Sequence, residues 1–111
     1  RRHGIAVFAC HPGIVPIGLT EQALAANAPD ESSRGRATAW LRKEVAEGRA
    51  VPPERAADLI LVLASGYADA LSGRYLTVHD DIAALVERAE EIRRQDLYTL
   101  RLREPSVVSA K

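Results

Sequence analysis

Ile5-Ala6-Val7-Phe8-Ala9-Cys10, followed at once by His11-Pro12-Gly13, is the stretch on which the fold turns. The apolar run has no polar alternation, is short, and ends abruptly, which predicts a strand buried on both faces of a parallel sheet. Pro12-Gly13 ends it by turn chemistry. Only four residues precede it, the chain opens on Arg1-Arg2-His3-Gly4, and no methionine occurs anywhere. The chain therefore reads as a fragment entered in mid-domain.

Downstream, Pro52-Pro53-Glu54 opens a helix, because proline is tolerated in a first turn and a carboxylate suits the N-terminal dipole. The helix is expected to run to about Ser65 and to stop at Gly66. Leu59, Ile60, Leu61, Val62 and Leu63 make it apolar on nearly every side, so burial on more than one face is expected. Leu71-Ser72-Gly73 then turns into Arg74-Tyr75-Leu76-Thr77-Val78-His79, a second strand rich in β-formers. Strand, helical connection and strand make a βαβ unit, whose two strands pair in parallel. Between the first strand and that helix, residues 16–52 are mixed. Short helices are expected over Thr20–Ala26 and Ala37–Glu47, with the polar stretch Asn27–Arg36 between them, the whole read as a mobile connector. Asp80 or Asp81 can cap a last helix, in which Ile82, Leu85, Val86, Ala89 and Ile92 recur at helical spacing. The tail from Glu104 to Lys111 has no periodicity and is expected to be loose.

Composition narrows the function classes. Fifteen basic side chains balance fifteen acidic ones, so no field gathers nucleic acid or an anionic membrane. No apolar stretch approaches the roughly 20 residues of a membrane span. The single Cys10 suits a buried structural thiol in a reducing compartment, and the protein is expected to be cytoplasmic.

In open parallel sheets, ligands meet the loops beyond the carboxyl ends of the strands, which makes His11 to Gly18 the candidate ligand loop. Three ordered segments then carry a resemblance: Gly4-Ile5-Ala6-Val7 leading to Pro12-Gly13-Ile14-Val15; Pro53-Glu54-Arg55-Ala56-Ala57 leading to Leu63-Ala64-Ser65; and Ser72-Gly73-Arg74-Tyr75-Leu76-Thr77-Val78. Together, over residues 1–81, they resemble the C-terminal part of the classical short-chain dehydrogenase/reductase family. The resemblance implies an α/β fold, the C-terminal portion of a Rossmann-type doubly wound parallel sheet, with residues 82–111 as a helical extension and tail. It implies NAD or NADP as cofactor and hydride transfer to or from a carbonyl or alcohol substrate. Pro12, Gly13, Ile14, Val15 and Ile17 would border the nicotinamide, with Val15 main-chain groups meeting its carboxamide. Residues 18–51 would form the substrate lid, with Leu19, Leu24, Trp40 and Leu41 facing the substrate. Residues 53–65 and 74–79 would assemble a homodimer or homotetramer.

The departures from that pattern are specific. Ile17 stands where the family commonly has a threonine, and Asp80-Asp81 where it usually has a glycine pair. The chain has neither a glycine-rich turn after a first strand nor a Tyr-x-x-x-Lys: Tyr67, Tyr75 and Tyr98 are followed four residues later by Leu71, His79 and Leu102. No catalytic residue is therefore assigned within the chain, and the alternative is a non-catalytic binding or oligomerisation module. His11 reads as a turn residue. His79-Asp80-Asp81 is not read as a metal site, since neighbouring residues on a strand face opposite ways. Cys10 reads as a small buried hydrophobe, and Trp40 fits core and substrate pocket equally well.

Overall fold

The computed structural model describes residues 3–26, 29 and 31–106. The elements in chain order are β1 (Ala9–His11), α1 (Leu19–Ala25), α2 (Ser33–Ala46), α3 (Pro53–Ala64), a single 3-10 turn (Asp69–Leu71), β2 (Tyr75–Thr77), α4 (Ile82–Glu87) and α5 (Ala89–Gln95). β1 and β2 pair in parallel, with Ala9, Cys10 and His11 opposite Tyr75, Leu76 and Thr77. The pairing expected between 5–10 and 74–79 is present, but over three residue pairs only. Before β1, the Gly73 N–H donates to the Val7 carbonyl at 2.7 Å and the Ala9 N–H to Arg74 at 3.1 Å.

The expected architecture is overturned. The chain is rich in helix, and its sheet is a two-stranded parallel ribbon of three residues a strand, so the C-terminal portion of a Rossmann-type doubly wound sheet is not what these residues form. A strand of a doubly wound sheet is covered on both faces, whereas Ile5 and Val7 are 67% and 63% exposed. Without a neighbour on its second edge, the apolar run 5–8 has too few main-chain partners to count as strand.

The core lies on one side of the ribbon. Leu71 and Leu76 are fully buried, and Val51, Leu59, Leu63, Ala68, Val78 and Ile92 close around them. Each of the two fully buried leucines contributes about 1.5–3 kcal/mol of burial free energy. α3 begins with Pro53 in its first turn, as the sequence predicts. It buries Leu59 and Leu63, four residues apart on one stripe, while Ile60 and Leu61 face outward, 53% and 68% exposed. Burial of α3 on more than one face is thus corrected, and Ile60 and Val7 stand outside the apolar cluster that holds Leu59, Leu63 and Val78.

Specific bonds join the two helices of the connector among the described residues. α2 starts at Ser33, earlier than Ala37, because the Ser32 hydroxyl accepts from the Gly35 N–H at 2.9 Å and caps the helix. The Arg42 guanidinium donates to the carbonyls of Leu24 and Ala26 at the end of α1, satisfying groups a helix C-terminus leaves open. Residues 27, 28 and 30 of the expected polar stretch, and residues 107–111 of the tail, lie outside the described residues.

After β2, Asp80 and Asp81 divide two tasks. The Asp80 carboxylate accepts from the Thr77 N–H at 2.7 Å and closes the turn, while Asp81 accepts from the Ala84 N–H at 3.1 Å and caps α4. The last helix, expected to be continuous from Ile82 to Ile92, breaks at Arg88 (φ −105°, ψ 17°) into α4 and α5. Beyond α5 the chain turns through Asp96 and Tyr98, both at positive φ, and comes back to β2, where the Tyr98 carbonyl accepts from the Tyr75 N–H at 2.7 Å. No helix among the described residues is long and apolar enough to cross a membrane.

Candidate functional site

The loop after β1 is held from three directions. The Gly13 N–H donates to His11 Nδ1 at 2.9 Å, which folds the imidazole back over the turn. The Val51 N–H donates to the Ile14 carbonyl at 2.7 Å, and Ile14 and Ala50 form an isolated parallel bridge, so the chain leading into α3 runs beside the loop. The Ile17 N–H donates to the Val15 carbonyl at 2.8 Å in a tight three-residue turn.

Gly13 adopts φ +78°, a region that favours glycine. A Cβ built there would lie 2.7 Å from Val51 Cγ2 and 3.1 Å from Val78 Cγ2. The missing side chain is replaced by the core itself, not by open space for a ring. The main chain of Val15 is different. Its N–H has no acceptor among the described residues, and its carbonyl keeps a lone pair beyond the bond from Ile17. One donor and one acceptor on a single residue match the needs of a carboxamide.

A cavity of about 620 Å³ opens beside this loop and is bounded by His11, Gly13 and Ile14 from the β1 end, by Trp40 and Glu44 from α2, by residues 48–51, and by Arg55 and His79. Its size is that of a small-molecule site. A second, more apolar cavity of about 410 Å³ lies between α1 and α2, bounded in part by Leu19, Ala37, Trp40 and Leu41. Trp40, 57% exposed, is the wall the two cavities share. Of the residues the sequence singles out, Gly13, Ile14 and Trp40 thus meet at one cavity, and Leu19, Trp40 and Leu41 at the other. Pro12, Val15, Ile17 and Leu24 border neither, and Ile17 is 55% exposed.

The polar groups of the larger cavity are mostly engaged. Arg49 is paired with both Glu44 and Glu47. Its hydrogen bond holds the Glu44 carboxyl below the usual carboxylate range, while the two carboxylates push the guanidinium up. Arg55 donates to the Val78 carbonyl at 2.8 Å, tying α3 to the end of β2. Among the described residues no group of three or more His, Cys, Asp or Glu could hold a metal ion. Cys10 is partly buried against the core, and burial pushes its thiol up, away from a reactive thiolate.

Sequence reasoning passed over His11, Glu44, Arg49, Arg55 and His79 as members of the site. Of these only His11 carried a local signal, its place at the strand end. The others reach the cavity through the contact of residues 50–51 with Ile14 and through the end of β2. Compared with models of protein families, with curated proteins and with solved structures, the chain matches none.

Proposed function

We propose that the chain is part of an NAD(P)-dependent oxidoreductase acting on a carbonyl or alcohol substrate, and that it supplies the nicotinamide-side loop and the substrate pocket. The observation that supports this reading is the loop after β1, whose Gly13 and Ile14 border a cavity of small-molecule size, and whose next residue, Val15, offers a main-chain donor without an acceptor among the described residues and a carbonyl with spare capacity. The ordered resemblance of residues 1–81 to short-chain dehydrogenases/reductases names the ligand. NAD or NADP, when bound, accepts or donates the hydride. The chain's own part is to hold the carboxamide at Val15, to set the loop through Gly13 and Ile14, and to wall the substrate with Trp40. Leu19, Leu24 and Leu41 belong to the lid on the same reading, and Pro12 and Ile17 flank the loop. On this proposal the proton donor and the pyrophosphate-binding turn are not supplied by residues 1–111. The unpaired Cys10 fits a cytoplasmic setting.

The test is titration of the full-length protein with NAD and NADP, reduced and oxidised, followed by turnover of a carbonyl panel. Val15→Pro, which deletes the amide hydrogen, is expected to weaken cofactor binding roughly five- to tenfold, the loss of one hydrogen bond with its partner left unpaired. Absence of any nicotinamide binding below about 1 mM removes the reading.

The outward face of α3 favours a second reading, a non-catalytic binding or oligomerisation module, since Ile60 and Leu61 are exposed side by side. A homodimer or homotetramer over residues 53–65 and 74–79 is compatible with both readings. Cofactor binding by the full-length protein separates them.

A further inference from the structure

We infer that His11 orients the substrate in the larger cavity, its Nε2–H donating to a carbonyl or hydroxyl oxygen; the identity of that oxygen rests on the oxidoreductase reading above. A ring nitrogen that accepts from an amide must carry a lone pair. The bond from the Gly13 N–H to Nδ1 therefore places the proton of the neutral imidazole on Nε2. Nε2, unlike Nδ1, has no hydrogen-bond partner among the described residues, and His11 is exposed and borders the cavity. The donor is thus oriented before any ligand arrives, which spares the entropy of fixing it.

The other donors of the cavity are less suited to this task. The Arg49 guanidinium is held by two carboxylates, and Arg55 is anchored through Nη2 to the Val78 carbonyl. His79 borders the cavity as well, with its Nε2 3.7 Å from the place of a Gly13 Cβ, but no hydrogen bond to its ring fixes a tautomer among the described residues. Trp40 supplies an apolar face to the same cavity. The substrate class is accordingly a carbonyl or alcohol whose planar or apolar body lies against an indole while its oxygen meets an imidazole N–H.

Two substitutions separate this role from a purely structural one. In His11→Asn the amide oxygen can replace Nδ1 and keep the turn, while the donor at the Nε2 position is lost. In His11→Gln the longer amide can present an N–H near the Nε2 position, while the bond to Gly13 is lost. With benzaldehyde as probe in the full-length protein, His11→Asn is expected to raise KM roughly five- to tenfold while cofactor affinity and Tm stay at the wild-type values. His11→Gln is expected to stay within roughly threefold in KM. A wild-type KM in His11→Asn, or a larger KM in His11→Gln than in His11→Asn, overturns the inference. Nitrogen-15 NMR of the histidine rings gives a readout that needs no turnover: added benzaldehyde should move the His11 Nε2 resonance. A shift without any nicotinamide-dependent reduction supports the His11 role and removes the oxidoreductase reading. Reduction with an unmoved His11 resonance does the reverse.

Discussion

Replacing Gly13 by alanine tests whether the loop is set by the core behind it. The residue sits at φ +78°, where an L side chain costs about 1–2 kcal/mol. The added methyl would stand 2.7 Å from Val51 Cγ2 and 3.1 Å from Val78 Cγ2, and both valines are buried. Forcing a carbon into packed surroundings costs about 1–3 kcal/mol more. Gly13→Ala should therefore lose about 2–5 kcal/mol, a large share of the 5–15 kcal/mol that holds a typical domain. Urea denaturation of the full-length protein measures it. Val51→Ala removes the nearer methyl and leaves a cavity that the alanine at position 13 can fill. In that background the same substitution should cost only the backbone part, about 1–2 kcal/mol. A single variant within about 0.5 kcal/mol of wild type, or an undiminished cost beside Val51→Ala, refutes the packing argument. The same reasoning covers Gly13→Val. Its side chain would collide with Val51 before it reached any ring, so a loss of cofactor affinity there would follow from a damaged loop.

Further outcomes follow from other bonds. Asp81→Ala should cost about 1 kcal/mol by uncapping α4, read as a lowered denaturation midpoint, and Asp81→Asn should recover most of it. Arg49 holds the Glu44 carboxyl low, and Arg101 does the same for Asp96. A carboxyl depressed in the folded state stabilises above its unfolded value and loses that contribution as pH falls through the folded one. Stability should therefore drop as pH falls below about 4, and Glu44→Gln with Asp96→Asn should flatten that drop, measured by thermal melts over an acid series. Cys10, its thiol pushed up by burial, should react with iodoacetamide more slowly than free cysteine at the same pH, and equal rates would show an accessible thiolate.

What could be read from the sequence was what depends on near neighbours. Pro53 and Gly66 bracket α3 because one residue type starts helices and the other stops them. Asp81 caps α4 because a short carboxylate ahead of an apolar-periodic run has few other uses. The parallel pairing of β1 and β2 follows from strand, helix and strand in order. The doubly wound sheet was read from the apolar run at Ile5, and apolarity alone does not say whether a covering surface exists; Ile5 and Val7 are exposed. Ile60 and Leu61 failed in the same way, since a helix with an all-round apolar stretch still buries only the stripe that meets a partner. The site was half visible. Gly13, Ile14 and Trp40 line one cavity, and the neighbours Glu44 and Arg49 join them only because residues 50–51 return to Ile14, a contact 36 positions apart that no local pattern announces.

The two edges of the ribbon differ in what they can still join. In the register of β1 with β2, the N–H groups of Tyr75 and Thr77 point away from β1, and both are taken, one by the Tyr98 carbonyl and one by the Asp80 carboxylate. The chain has stoppered that side with its own atoms. Among the described residues only the flank of β1 around Cys10 has no strand or cap beside it, so growth by strand addition has a single direction. Two ribbons joined along that flank would present only stoppered edges, and polymerisation through this ribbon would end at the pair.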